Sequence, residues 1–263
     1  MDKIKPKLIG EIPNNLSETN KNIIVYVDQF GVNLNNYNHN GYDYKIYWQI
    51  EGNGVIGQRE NNISFPIINK NNFDLILASD PEILNNCKNA ILFPFGDCWI
   101  PQEDQKIHEK TKLLSIIASS KRELSGHKLR HSVMATIGNK MDIYGRCCNY
   151  IENKADALRD YKFNLCIENL QLTNWFTEKL IDCLRTGTVP IYWGSPNISD
   201  YFNINGFIIV NSLNDITNVV NNLTEDDYTS RLEYIQENFI KATNYSNNLF
   251  ERVDNEIKKL WNE

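Results

Sequence analysis

Short runs of apolar, largely β-branched residues punctuate this chain, and most are followed by a stretch whose apolar positions recur with helical spacing. Ile23 to Val27, Tyr44 to Ile50, Phe73 to Ala78, Ala90 to Phe93 and Lys112 to Ala118 read as strands. So do Asp142 to Tyr144, Lys162 to Ile167, Val189 to Trp193 and Phe207 to Val210. Gly126 to Ile137, Trp175 to Thr186 and Leu213 to Leu223 read as crossover helices, and two longer helical patterns, 226–243 and 246–262, close the chain. This alternation predicts an α/β protein with parallel sheets, because a parallel connection is long enough to hold a helix. The loop from Pro94 to Gln105 carries Gly and Pro between two strand sets. It is the expected boundary between a domain over residues 1–104 and a second over 105–263, the terminal helices included. The resulting architecture is two small α/β domains facing across a cleft, with ligands expected beyond the carboxyl ends of the strands.

Composition narrows the class. The 263 residues are 41% hydrophobic and 23% charged, which excludes disorder and collagen-like repeats. No apolar run approaches the roughly 18 residues of a membrane span, so no transmembrane segment is expected. The start lacks the apolar core of a secretion signal, and the expected location is the cytoplasm. Six cysteines, at 87, 98, 147, 148, 166 and 183, form no CxxC pair and read as reduced core thiols. Asparagine occurs 38 times, in clusters such as 33–40 that suit polar loops.

A net charge of −6 argues against a nucleic-acid partner. Its distribution is uneven, however: residues 105–131 hold seven Lys or Arg against two Glu, and three of the four histidines. His127 and His131 have ligand spacing on one helix face but no third partner in sequence, and they read as surface or anion-facing residues. Gly52, Gly54 and Gly57 match GxGxxG, but Pro66 and a non-helical stretch follow where a dinucleotide site needs a helix N-terminus.

The informative stretch is 161–196, YKFNLCIENLQLTNWFTEKLIDCLRTGTVPIYWGSP. An alternating strand ends at Glu168 and Asn169, and Thr173 or Asn174 then caps a helix starting near Trp175. Glu178 and Lys179 fall in or just after its first turn, where free N–H groups attract an anion and a lysine adds a positive charge. The alternative is that both sit on a solvated face while Trp175, Phe176, Leu180, Ile181 and Leu184 pack inward. Tyr192 and Trp193 read as core.

This stretch, with YKFNLCIEN, TEK and VPIYWGSP in that order, resembles the hallmark of glycosyltransferase family 10, the α1,3-fucosyltransferases, especially bacterial ones. A weaker likeness runs through residues 115–133, and residues 1–100 resemble the family only in layout. The resemblance implies a GT-B enzyme of two Rossmann-like domains that moves L-fucose from GDP-fucose to a hydroxyl of a glycan acceptor, with inversion. By position the family's diphosphate-binding arginine falls on Arg130, its ribose-binding glutamate on Glu178 and its phosphate-binding lysine on Lys179. Its aromatic three residues before that glutamate is Trp175, expected to pack on the donor, while Leu170 stands where Ser or Thr is usual. Glu168 and Asn169 are expected at the sugar, although Glu168 equally suits a loop-tying role. Ser119 and Lys121 are expected near the phosphates, with an ordinary turn as the alternative. The family's base, a glutamate after a strand of the first domain, has its best counterpart in Glu51; Glu60, Asp80 and Glu82 are rivals.

The chemistry points the same way. A departing diphosphate needs its charge neutralised by a metal or by placed cations and N–H dipoles. No Asp-x-Asp occurs in the chain, so the expectation is no metal and no cofactor, with GDP-fucose as substrate. A different nucleotide sugar, or a binding module without turnover, is the alternative.

Overall fold

A computed structural model of the chain describes residues 3–9, 14–28, 41–51, 60–146, 148–246 and 248–261. The GxGxxG stretch, the asparagine cluster at 33–40 and Cys147 lie outside the described residues. Two compact units emerge, one of residues 1–95, 173–175 and 248–263, the other of 96–172 and 176–247.

In the first unit, strands β1 (Lys7–Ile9), β2 (Ile23–Val27), β3 (Tyr44–Trp48), β4 (Leu75–Ala78) and β5 (Ala90–Leu92) form a parallel sheet in that spatial order. Val25 pairs with Ile46, and Ile46 with Leu75. Both faces are covered, which is why these strands read as unbroken apolar runs. Ile24, Tyr26, Tyr47 and Ile76 pack with Ile63, Phe65 and Phe73 around the short helices α1 (Phe65–Ile68) and α2 (Pro81–Asn86). On the other face Ile23, Val25, Trp48 and Leu77 meet Leu249, Val253 and Ile257 of the last helix, α8 (Leu249–Lys258).

The terminal helix, expected with the second domain, therefore belongs to the first. Its apolar stripe fills the open face of the first sheet, and its Asp254 accepts the Ser17 N–H at 2.9 and 3.2 Å. The boundary falls after Phe95, within the expected loop but ahead of residue 104.

In the second unit, β6 (Lys112–Ile117), β7 (Asp142–Tyr144), β8 (Tyr161–Ile167), β9 (Val189–Trp193) and β10 (Ile208–Ile209) are parallel, in the order β10-β9-β8-β6-β7. The chain runs from β6 to one side and then returns to the other, so the order reverses between β6 and β8. A crevice at the carboxyl ends of strands at such a point is where open α/β sheets bind ligands. One face packs on α3 (Ser125–Ile137) and α5 (Leu213–Asn222), through Val133, Ile137, Ile216 and Val220. Leu180, Ile181 and Leu184 of α4 (Glu178–Arg185) cover the other.

Three local expectations are corrected. The helix expected from Trp175 starts at Glu178, because Asn174 is left-handed (φ 60°) and Thr177, not Thr173 or Asn174, caps the helix by accepting the Lys179 N–H. The pattern over 226–243 is two helices, α6 (Glu225–Thr229) and α7 (Leu232–Lys241), since Arg231 leaves helical geometry at φ −108°, ψ 3°. Of the described cysteines, 87, 98, 166 and 183 are buried thiols, whereas Cys148 is exposed.

Helix α3 rests directly on the end of β8. A β-carbon on Gly126 would stand 1.8 Å from the Glu168 carbonyl oxygen, and the Gly126 N–H donates to the Asn169 carbonyl at 3.0 Å. Gly126→Ala must therefore push α3 off the strand, and a fall in melting temperature of several degrees is expected; an unchanged melt would contradict that packing. Ile257→Ala, which empties a site 2% exposed, is expected to cost ~2–5 kcal/mol in urea unfolding. A loss near zero would remove α8 from the core of the first unit.

Candidate functional site

The sequence after β8 turns at Glu168 into a polar loop, and chain geometry there is set by a buried carboxylate. Glu168 is fully buried; one oxygen accepts the Thr177 N–H at 2.8 Å and the other the Thr177 hydroxyl at 2.7 Å. This is the loop-tying role weighed for Glu168. Burial raises its pKa above the ordinary carboxylate value, while Lys179 and the two Thr177 hydrogen bonds pull it down. The bond from Thr177 fixes the start of α4 and so places Glu178 and Lys179.

Lys179 projects among acceptors. Its Nζ lies 3.2 Å from the Thr177 hydroxyl oxygen, 3.1 Å from Glu178 Oε1 and 3.9 Å from Glu168 Oε2. Burial disfavours its charge, but the two glutamates outweigh burial and hold its pKa above the usual lysine value. Glu178 is buried too; despite that, Lys179 and Lys154 bring it down to about 2. Lys154 Nζ is 3.3 Å from both Glu178 Oε1 and Asp182 Oδ2, and sits 4.1 Å over the Trp99 ring. Burial pushes Asp182 up to about 6, and its Oδ1 accepts the Trp99 N–H at 2.7 Å.

Arg130 reaches the same strand end from α3. Its guanidinium is buried, donating to the Ile167 carbonyl and, at 2.9 Å, to Asn169 Oδ1. Arg130 and Lys179 are close enough to disfavour each other's charge, and both depress His127, which burial depresses most. Two cations held together in a largely desolvated corner favour an anion beside them. Ser119 and Lys121 follow β6, the strand beside β8; Ser119 is half-buried and Lys121 exposed. His131 bonds the Lys121 carbonyl at 3.1 Å through Nε2, and His127 Nδ1 accepts the Leu124 N–H at 3.3 Å. Among the described residues no group of three His, Cys, Asp or Glu is placed to hold a metal ion. No helix there is long and apolar enough to cross a membrane.

Of the residues singled out from sequence, Arg130, Glu168, Asn169, Glu178 and Lys179 converge, with Ser119 and Lys121 on the neighbouring strand end. Trp175 belongs to the first unit, is 3% exposed, and gives its indole N–H to the Ile50 carbonyl at 3.1 Å, one residue before Glu51. Glu51 is exposed and stands three residues past the end of β3, which closes at Trp48 and not, as expected, at Ile50. Asp80 caps α2 by accepting the Glu82 N–H at 2.8 Å, and the Glu60 side chain lies outside the described residues. Sequence reasoning misses Thr177, Lys154 and Asp182. Thr177 stands inside the TEK motif, whereas nothing local marks a lysine 24 residues before the glutamate it pairs with.

Comparison with known proteins gives the family and the fold. Residues 107–247 match the family described as glycosyltransferase family 10 (fucosyltransferase), C-terminal. An alpha-(1,3)-fucosyltransferase, FucT, of Helicobacter pylori is 48% identical over 60 residues, 23% of this chain and 13% of that protein. The chain thus spans a small part of the length of such relatives. A crystal structure of an α1,3-fucosyltransferase with GDP-fucose aligns over 92% of this chain and 78% of that one, with TM-score 0.54 and 17% identity. TarM aligns over 92% of this chain and 55% of its own, with TM-score 0.58 and 16% identity. The shared fold is GT-B, two Rossmann-like parallel-sheet units. With more than half of its length matched, the chain belongs to glycosyltransferase family 10.

Proposed function

We propose that this chain is an inverting glycosyltransferase that moves L-fucose from GDP-fucose to a hydroxyl of a glycan acceptor without a metal ion. The observation that carries the reading is the pair of cations, buried Arg130 and half-buried Lys179, at the switch point of the second sheet. Family membership and the name of the H. pylori relative support fucose as the sugar, and the α1,3-fucosyltransferase structure solved with GDP-fucose supports GDP as its carrier.

The acceptor hydroxyl attacks the anomeric carbon, the bond from that carbon to the β-phosphate oxygen breaks, and GDP leaves with the electron pair. Arg130 and Lys179 neutralise the charge that builds on the departing diphosphate, the work a metal does in other transferases. Their hydrogen bonds to Ile167, Asn169 and Thr177 fix them before the reaction, so little reorganisation is needed. Glu178, kept ionised by Lys154 and Lys179, is an acceptor suited to ribose hydroxyls. The proton of the attacking hydroxyl goes to Glu51. Glu168 supports this set through Thr177, and Asn169 through Arg130, while Ser119 and Lys121 are further donors for phosphate.

Calorimetric titration of EDTA-treated protein with GDP tests the donor site. Arg130→Ala and Lys179→Ala are each expected to weaken GDP binding ~10-fold or more, and UDP to bind more weakly than GDP. Binding indifferent to both substitutions, or binding only with added metal, would overturn the reading. Glu51→Gln is expected to lower turnover ~100-fold or more while GDP affinity stays, and unchanged turnover would remove Glu51 from the mechanism.

The site also leaves a signature in acid. Glu178 has a pKa of about 2 when folded against 4.5 when unpaired, so it stabilises the fold above that unpaired value and loses this as pH falls toward 2. Glu178→Gln is expected to flatten the acid limb of a melting-temperature profile between those values. An acid limb as steep as that of the unaltered chain would deny that pairing.

A further inference from the structure

The end of β3 is held in an unusual way. Residues leaving a strand ordinarily give their backbone groups to water or to a turn, but every backbone N–H and carbonyl of Ile50 and Glu51 has a side-chain partner. Asp28 Oδ1 accepts the Ile50 N–H at 2.8 Å, and both Asp28 oxygens accept the Glu51 N–H at 3.2 Å. Trp175 Nε1 donates to the Ile50 carbonyl at 3.1 Å, and Gln49 Nε2 to the Glu51 carbonyl at 3.3 Å. Gln49 is itself fixed, since its Oε1 accepts the N–H groups of Ser79 and Asp80 beyond β4, each at 3.1 Å.

Holding these three side chains is costly. Asp28 is 8% exposed, Gln49 2% and Trp175 3%. Burial pushes the Asp28 carboxyl up to about 7 against its two backbone hydrogen bonds, and Glu51 adds to the rise. The only non-glycine residues with positive φ among those described are Asp28 (φ 49°) and Asn174 (φ 60°), the neighbour of Trp175. Asn174 is pinned in turn, its Nδ2 donating to the Ser79 carbonyl at 3.2 Å. Desolvated polar groups and left-handed backbone persist where the surroundings over-determine them, and they gather at sites that must be held still. All of these residues belong to the first unit.

We infer that Asp28, Gln49 and Trp175 form a clamp on the backbone of Ile50 and Glu51 that aims the Glu51 carboxylate at the acceptor hydroxyl. The three are positioning residues, none of them touching substrate, and the inference rests on the reading of Glu51 as the base. Trp175, although it lies within the donor motif in sequence, thereby serves the base. A base displaced by about an ångström loses up to ~100-fold in rate, so the clamp acts on kcat and leaves donor affinity alone.

The test uses the full chain and GDP-fucose hydrolysis, in which water replaces the acceptor and gives its proton to the same group. Asp28→Ala is expected to lower kcat ~10-fold or more, and Trp175→Phe, which keeps the packing and removes one N–H, severalfold. In both, GDP affinity by calorimetry stays within about twofold. Added to Glu51→Gln, neither substitution slows hydrolysis further, because its effect passes through Glu51. If Asp28→Ala does not melt cooperatively, Trp175→Phe alone carries the comparison. Unchanged kcat in either folded variant, a matching loss of GDP affinity, or losses that multiply with Glu51→Gln would overturn the clamp. Full hydrolysis by Glu51→Gln alone would instead overturn the base on which it rests.

Discussion

The side chains gathered at the carboxyl end of β8 in the second unit depend on one buried carboxylate. Glu168 follows β8 and takes both polar hydrogens of Thr177, the N-cap of α4, so the strand and the helix are joined by a bidentate tie inside the protein. A carboxylate with no exposure is expensive unless its oxygens are satisfied. Here they are, and Lys179 lies 3.9 Å away to offset the charge. Glu178 and Lys179 gain their places from this tie, and Arg130, bonded to the carbonyl and side chain on either side of Glu168, gains its place from the same strand end. Gly126 is glycine for that reason: helix α3 lies against the Glu168 carbonyl too closely for any side chain.

The charges around this tie form an ordered set. Lys154 bridges Glu178 and Asp182, Lys179 bridges Glu178 and Glu168, and the cationic side faces Arg130. Desolvation strengthens each of these interactions and makes an uncompensated one costly. A bound diphosphate would complete the set, adding negative charge beside the two cations that now disfavour each other. The first unit solves a different problem, fixing a short backbone segment with hydrogen bonds from the side chains of Asp28, Gln49 and Trp175.

Much of this is legible in the sequence because burial on both faces of a parallel sheet leaves continuous apolar runs. Val189 to Trp193 and Ile23 to Val27 could scarcely be anything else. β1, three residues long, carries too little pattern to be seen. The apolar stripe of α8 is visible, but a stripe does not say which sheet it covers; Leu249, Val253 and Ile257 go to the first unit instead of the second. The start of α4 is hard to place because Thr173, Asn174 and Thr177 are all good caps, and only the left-handed turn at Asn174 and the pull of Glu168 select Thr177. Arg130, Glu178 and Lys179 stand out through the motif, whereas Asp28, Gln49 and Lys154 act across long sequence separations that no local pattern encodes. Trp175 stands in the donor motif by sequence, whereas its indole N–H goes to the Ile50 carbonyl of the first unit.

The proposed role of Arg130 and Lys179 as the diphosphate's partners is tested most directly by a crystal structure of the chain grown with GDP in EDTA. The expected result is the β-phosphate at the end of β8, with its oxygens within hydrogen-bonding distance of the Arg130 guanidinium and Lys179 Nζ. A nucleotide bound elsewhere, a diphosphate reached by neither side chain, or an empty site at millimolar GDP would contradict it.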